Sequence, residues 1–217
     1  MNVQPLRNTP AGGEALTVEG LTRRFGPHTV LDNVSFTVAS GQVVALIGPN
    51  GAGKSTLLRC VVGADRADAG QVRFGGRPID ESDPWVRAAV AAALDDVDFF
   101  PDLSVTEHLE LLAFAHGTPV SVAGRVVSEL GLEAARDQLP PSLSAGQRKR
   151  LALASCFVRP RRLLVLDEPE QRLDAAGRSW LSRRLIEERA AGTAVLMASH
   201  DADLVEAVAD TRIELEA

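Results

Sequence analysis

Val43-Val44-Ala45-Leu46-Ile47 runs straight into Gly48-Pro49-Asn50-Gly51-Ala52-Gly53-Lys54-Ser55-Thr56, and an apolar helical pattern follows. An unbroken apolar run of this length predicts a strand buried on both faces. The glycines after it supply the backbone freedom of a tight loop, and a helix is expected from near Lys54. Two further runs, Leu163-Leu164-Val165-Leu166 and Ala194-Val195-Leu196-Met197-Ala198, are each followed by polar residues and then a helical pattern. Three buried strands that each feed a helix predict an α/β fold, with a mostly parallel sheet covered by helices. The N-terminal part reads differently. Val34, Phe36 and Val38 alternate with Ser35 and Thr37, and Leu16-Thr17-Val18 looks similar. That alternation predicts half-exposed antiparallel strands.

The middle of the chain reads as helical. Ser104 and Glu107 have capping-box spacing, and Val105, Leu109 and Leu112 follow along one face. Val122, Val126 and Leu130 make a second stripe. Leu139-Pro140-Pro141-Ser142 ends it, and another helix is expected from Ser144. A helical segment over about 95–158 therefore stands between two parts of one α/β core, 14–94 and 159–217. Residues 1–13, rich in Asn, Pro and Gly, read as a flexible N-terminal tail.

Composition excludes several classes. With 217 residues, 45% of them hydrophobic, the chain carries enough apolar surface for a globular core and is not a disordered protein. A net charge of −6 lacks the basic footprint of a nucleic-acid binder, so no nucleic-acid partner is expected. No apolar stretch approaches the roughly 20 residues of a membrane span, and the N-terminus has neither the basic nor the apolar region of a signal peptide. Cys60 and Cys156 lack metal-ligand spacing and read as small buried side chains in a reducing cytoplasm.

The run Gly48–Thr56 fits G-x-x-x-x-G-K-[ST], placed between a buried strand and a helix as that motif requires. In such a loop, backbone N–H groups point inward around phosphates, and the helix N-terminus adds partial positive charge. Lys54 then reaches the β- and γ-phosphates, and the Ser55 hydroxyl can ligate Mg²⁺. A second site signal is Leu163-Leu164-Val165-Leu166-Asp167-Glu168-Pro169, a buried strand ending in two carboxylates. Ligands bind at strand C-termini in α/β sheets. Asp167 is expected to hold Mg²⁺, and Glu168 to act as general base or to orient the attacking water.

With Leu143-Ser144-Ala145-Gly146-Gln147-Arg148-Lys149-Arg150 upstream of Asp167, the chain resembles the ATP-binding cassette (ABC) ATPases, whose signature is L-S-G-G-Q. The resemblance runs from about Leu16 to Leu215. It implies a P-loop NTPase core with an N-terminal antiparallel β subdomain and an inserted helical subdomain, together forming one ABC ATPase domain over 14–217. Ser144 and Gln147 also have capping-box spacing, so Ser144 opens a helix whose free N–H groups suit a phosphate. In the family that phosphate belongs to a partner. Two cassettes pair head to tail over two ATPs, so Ser144, Gly146 and Gln147 are implied to face the nucleotide of a second copy or a close relative. The resemblance further implies that Phe25 stacks on adenine, that Asp174 links the two sites across the dimer, and that His200 contacts the γ-phosphate. The implied cofactors are ATP and Mg²⁺, and the implied partners are a second ABC ATPase, as homodimer or heterodimer, and a separate transmembrane permease. That places the chain in the cytoplasm, peripheral on the inner face of the cell membrane.

The chain departs from the family in three places. Where it has a Gln that ligates Mg²⁺ or water, counting back from Pro101-Asp102-Leu103-Ser104-Val105 leads to Asp95, with Asp96 beside it. An Asp oxygen can still ligate Mg²⁺, but its charge beside a triphosphate is expected to weaken binding or slow the chemistry. Ala145 replaces the first signature glycine, with some loss of backbone freedom. Glu170-Gln171-Arg172 replaces the usual small residues before Leu173-Asp174. The reading favoured by these motifs is the ATP-hydrolysing subunit of a transporter. Two others stay open. One is a soluble, non-transport ABC ATPase of the iron–sulfur assembly type. The other is a weakly catalytic, nucleotide-dependent regulatory module, motivated by the altered Gln position.

Overall fold

A computed structural model describes residues 14–94 and 98–216. The alternating N-terminal segments form a long hairpin, β1 (Glu14–Phe25) with β2 (His28–Ala39). In it Leu16 lies opposite Val38, and Val18 opposite Phe36. Leu31, Val34, Phe36 and Val38 are buried while their neighbours on β2 are mostly exposed, as the alternation demands. The apolar run before the Gly-rich loop is β3 (Val43–Ile47), and α1 (Lys54–Val62) follows the loop. After α1 the chain adds β4 (Ala69–Phe74) beside β1, then the short β5 (Arg77–Pro78). The antiparallel sheet has the order β2-β1-β4-β5.

A second sheet is parallel throughout. Helix α2 (Pro84–Ala89), capped by the Asp83 carboxylate, leads directly into β6 (Val90–Ala93). Three helices come next: α3 (Val105–Ala115), α4 (Ser121–Glu129) and α5 (Ala145–Phe157). Both expected capping boxes are present, Ser104 with Glu107 and Ser144 with Gln147. The proline-rich break between α4 and α5 is a short 3₁₀ turn, Pro140–Ser142. The two remaining apolar runs are β7 (Leu163–Asp167) and β8 (Ala194–Ala198), separated by α6 (Ala175–Ala190). The chain closes with α7 (Ala202–Val208) and the edge strand β9 (Thr211–Glu214). The sheet order is β6-β7-β8-β3-β9. Among the described residues no helix is long and apolar enough to cross a membrane.

The pleat divides the parallel strands between two cores. Val44, Leu46, Leu163, Val165, Leu196 and Ala198 face α1 and the antiparallel sheet. Val43, Ala45, Leu164, Leu166, Val195 and Met197 face the other way, against α3 to α7. This is why these strands are continuous apolar runs: each residue has a core on its own side.

One buried ion pair ties the second core to the start of β7. Arg161 and Glu188 have side chains only 9% and 6% exposed. Arg161 Nε donates to Glu188 Oε2 at 2.9 Å, and its Nη1 donates to the carbonyls of Cys156 and Arg159. Arg184 and the Thr193 hydroxyl also bind Glu188. Glu188→Ala would leave the Arg161 charge buried without its carboxylate. It should lower stability by about 3–5 kcal/mol, read from urea unfolding.

Both cysteines are buried and free of disulfides. Burial pushes the Cys60 thiol up to about 11 and the Cys156 thiol up to about 12. Since the thiolate is the reactive species, neither should be labelled by iodoacetamide at pH 8 until the chain is unfolded. Mass spectrometry before and after adding denaturant reads this directly.

Candidate nucleotide site

Three strands that are neighbours in the sheet end together. β7 ends in Asp167 and Glu168, β8 leads to Ser199 and His200, and β3 leads to the loop at Gly48. The ends are stitched by backbone bonds: Glu168 N–H to the Ala198 carbonyl at 2.9 Å, and Ser199 N–H to the Leu46 carbonyl at 3.3 Å. Helix α1 packs against β7 and β8. The candidate groups of these three segments therefore share one end of the sheet, where α/β folds bind ligands.

The loop's shape follows from its glycines. Gly48 has φ 142°, and a Cβ there would lie 2.2 Å from the Leu215 carbonyl oxygen. Gly53 has φ 89°, and a Cβ there would press on Leu31 and Val30 at 2.9 Å. Inside the curl, Lys54 Nζ donates to the carbonyls of Gly48 at 2.8 Å and Pro49 at 2.9 Å. An ammonium has three donors, so one proton beyond these two is available to a phosphate. No side chain caps α1, which leaves its first N–H groups for a ligand. Pro49, Asn50, Gly51 and Ser55 are exposed, while Ala52 and Gly53 are buried and Thr56 is half-buried.

Asp167 is buried, and its own carbonyl accepts a hydrogen bond from Lys149 Nζ at 2.7 Å. Glu168 sits at φ 41°, in the left-handed region that non-glycine residues seldom occupy. Its carboxylate faces two groups: Oε1 lies 3.4 Å from His200 Nε2, and Oε2 accepts from Gln171 Nε2. Backbone strain of this kind clusters at functional sites. Ser55 and Asp167 offer hard oxygen donors of the type Mg²⁺ takes.

The signature residues lie on α5. Ser144 is its N-cap, with its hydroxyl accepting from Gln147 N–H at 3.2 Å, and Gln147 Oε1 accepting from Ser144 N–H at 2.8 Å. Ser144 and Ala145 are exposed. Gly146 meets the loop after β7, since a Cβ on it would stand 3.1 Å from the Arg172 carbonyl. Asp174 caps α6 through Gly177 N–H and pairs with Arg150 at 2.9 Å. These two bonds, the Gly177 N–H first, hold its carboxyl below the usual carboxylate range. Phe25 closes β1 half-exposed, with the Arg23 guanidinium 4.5 Å from its ring centre. Asp95 falls outside the described residues.

Sequence reasoning missed what Glu170, Gln171 and Lys149 do. The departure of Glu170-Gln171-Arg172 from the family pattern was the available signal, but their partners become visible only in the fold.

The sequence model of the ABC transporter family matches residues 31–171, well over half of the chain. The chain belongs to that family. A sulfate/thiosulfate import ATP-binding protein of Chromobacterium violaceum is 34% identical over 99% of the chain. A SkfA peptide export ATP-binding protein of Bacillus subtilis is 33% identical over 91% of the chain and 83% of its own length. The chain spans 52–60% of the length of the first curated relatives it matches. A solved ATP-binding subunit of an ABC transporter superposes with a TM-score of 0.84 at 28% identity, covering 93% of this chain and 85% of that one. The two sheets and their helices are thus the fold of ABC ATP-binding subunits, as expected from the resemblance.

The glycine geometry is open to test. Gly48→Ala combines a forbidden φ with a backbone collision and should cost about 3 kcal/mol, the upper end for strained backbone. Gly51 has φ 85° but nothing within 4 Å of a Cβ, so Gly51→Ala should cost only about 1–2 kcal/mol. Urea unfolding of the two variants should rank them in that order.

Proposed function

We propose that this ABC protein is the ATP-binding and ATP-hydrolysing subunit of a transporter, closing as a dimer on ATP and driving a separate membrane permease. The observation that carries this reading is the hydrogen-bonded meeting of three strand ends. It sets the Lys54 loop, the Asp167–Glu168 pair and His200 at one end of one sheet. A triphosphate laid along the loop takes the open N–H groups of α1 and the remaining Lys54 proton. Ser55 and Asp167 would hold Mg²⁺, with Asp95 proposed from the sequence alone as a further oxygen donor, and such a cation would supply charge neutralisation to the bound triphosphate. Glu168 orients the attacking water and accepts its proton, and His200 binds the γ-phosphate beside it. Phe25 offers its free face to adenine.

The second half of each site comes from another cassette, identical or closely related. Exposed Ser144 at the start of α5, with Gly146 and Gln147 behind it, suits the γ-phosphate held by that partner. Asp174, at the start of α6, would link the two sites across that dimer. The protein then works on the cytoplasmic side of the membrane through its permease. Relatives named for import and for export share this cassette, so the cargo is assigned to the permease.

Glu168→Gln should lower steady-state phosphate release by about 10²–10³ while ATP-dependent dimers accumulate on size exclusion. Lys54→Ala should abolish MgATP uptake in calorimetry with the fold intact by circular dichroism. Equal turnover in wild type and Glu168→Gln would remove Glu168 from its role.

A further inference from the structure

Glu170 is a buried carboxylate that no step above uses. It is 9% exposed. Its Oε1 accepts three hydrogen bonds: from Ser199 Oγ at 2.7 Å, His200 N–H at 3.2 Å and Asp201 N–H at 3.3 Å. Its Oε2 is buried and has no hydrogen-bond partner among the described residues. Every hydrogen bond this carboxylate makes therefore goes to one three-residue turn, and His200 is the middle residue of that turn.

A buried carboxylate is costly unless its bonds are good. Here three donors from consecutive residues converge on one oxygen. The Ser199 hydroxyl, while donating to Glu170, also accepts from Asp201 N–H at 3.1 Å. The backbone of the turn is thus held from inside the protein, while the His200 side chain projects outward, 40% exposed, toward Glu168. An imidazole on a free loop would sample many directions, and ordering it only when nucleotide arrives would draw on binding energy. An imidazole on a pinned turn is ordered beforehand.

We propose that Glu170 is a positioning residue of the hydrolytic site: it aims the His200 imidazole by fixing the turn 199–201, and it touches neither nucleotide nor water. This rests on the ATPase reading above for its effect on turnover, and on the hydrogen bonds alone for its effect on the turn.

The test uses the full chain with Glu170→Ala, Glu170→Gln, His200→Ala and the Glu170→Ala/His200→Ala double variant. Hydrogen exchange over residues 199–203 should quicken about tenfold or more in Glu170→Ala, because the pinned amides open locally. It should return to wild type in Glu170→Gln, whose amide oxygen accepts the same bonds. In ATP turnover, Glu170→Ala should lower kcat about 10- to 100-fold, with KM for ATP within about threefold of wild type, and Glu170→Gln should restore kcat. The double variant should match His200→Ala alone, since residues acting through one another are not additive.

Unchanged exchange in Glu170→Ala, or additive losses in the double variant, would overturn the proposal. A wild type that shows the protected turn but hydrolyses no ATP would sink the ATPase reading and keep the Glu170–turn link. Should Glu170→Ala not fold, Ser199→Ala removes one of the three donors and leaves the carboxylate in place. Faster exchange with a smaller kcat loss there supports the proposal, and no change in either overturns it.

Discussion

The site depends on one constraint: β7, β8 and β3 must lie side by side and stop at the same level. Their parallel register, Leu166 beside Met197 and Leu46 beside Ala198, brings this about. A slip of one residue in any of them would turn its side chains to the opposite core. Because both faces are buried, such a slip would expose nothing to water but would mismatch every packed side chain, so the register is set by shape. The two stitches beyond the ladder, Glu168 to Ala198 and Ser199 to Leu46, then carry the alignment past the strands and into the loops.

The two ends of this sheet handle buried charge differently. At its start, Arg161 and Glu188 neutralise each other, and further donors and carbonyls satisfy their remaining valences. Such a network holds position, and removing one partner strands the other's charge. At its finish, Glu170 is buried without a cation among its bonds and relies on backbone N–H groups and a hydroxyl. Only an acceptor oxygen can fill that place, since an apolar replacement would strand three donors. The first arrangement serves packing. The second serves the direction of a loop.

Much of this was legible in the residues because the signals were local. The Gly48–Thr56 run, the three apolar strands, the β1–β2 alternation and both capping boxes each depend on neighbours a few positions away. The elements that were not read lack such punctuation. From Val86 to Leu94 the chain passes from helix to strand at Val90 with no Gly or Pro to mark the change, and its alanines favour helix on both sides of it. β9 carries one buried apolar residue, Ile213, between exposed charges, too little for a pattern. β4 buries only Phe74 fully. The bonds of Glu170 were invisible for another reason: their partners lie about thirty positions along the chain, and only the meeting of β7 and β8 brings them near.

The fold also reverses the meaning of one departure. Ala145 was expected to restrict a backbone that the family leaves free. It is the first residue of α5, in helical geometry behind an intact cap, where alanine is favoured over glycine by about 1 kcal/mol. The glycine that matters is Gly146, pressed against the Arg172 carbonyl at a distance that leaves no room for a methyl group without movement. Arg172 is itself held at φ 63°, a conformation unfavourable for arginine by about 1–2 kcal/mol. Neighbouring contacts on the same two segments, Arg150 to Asp174 and Lys149 to the Asp167 carbonyl, hold that geometry in place. The signature helix and the loop after β7 are thus one mechanical unit. The loop so held to α5 is the one that carries Glu168, Glu170 and Gln171, so the residues that depart from the family pattern lie where the signature helix meets the end of β7.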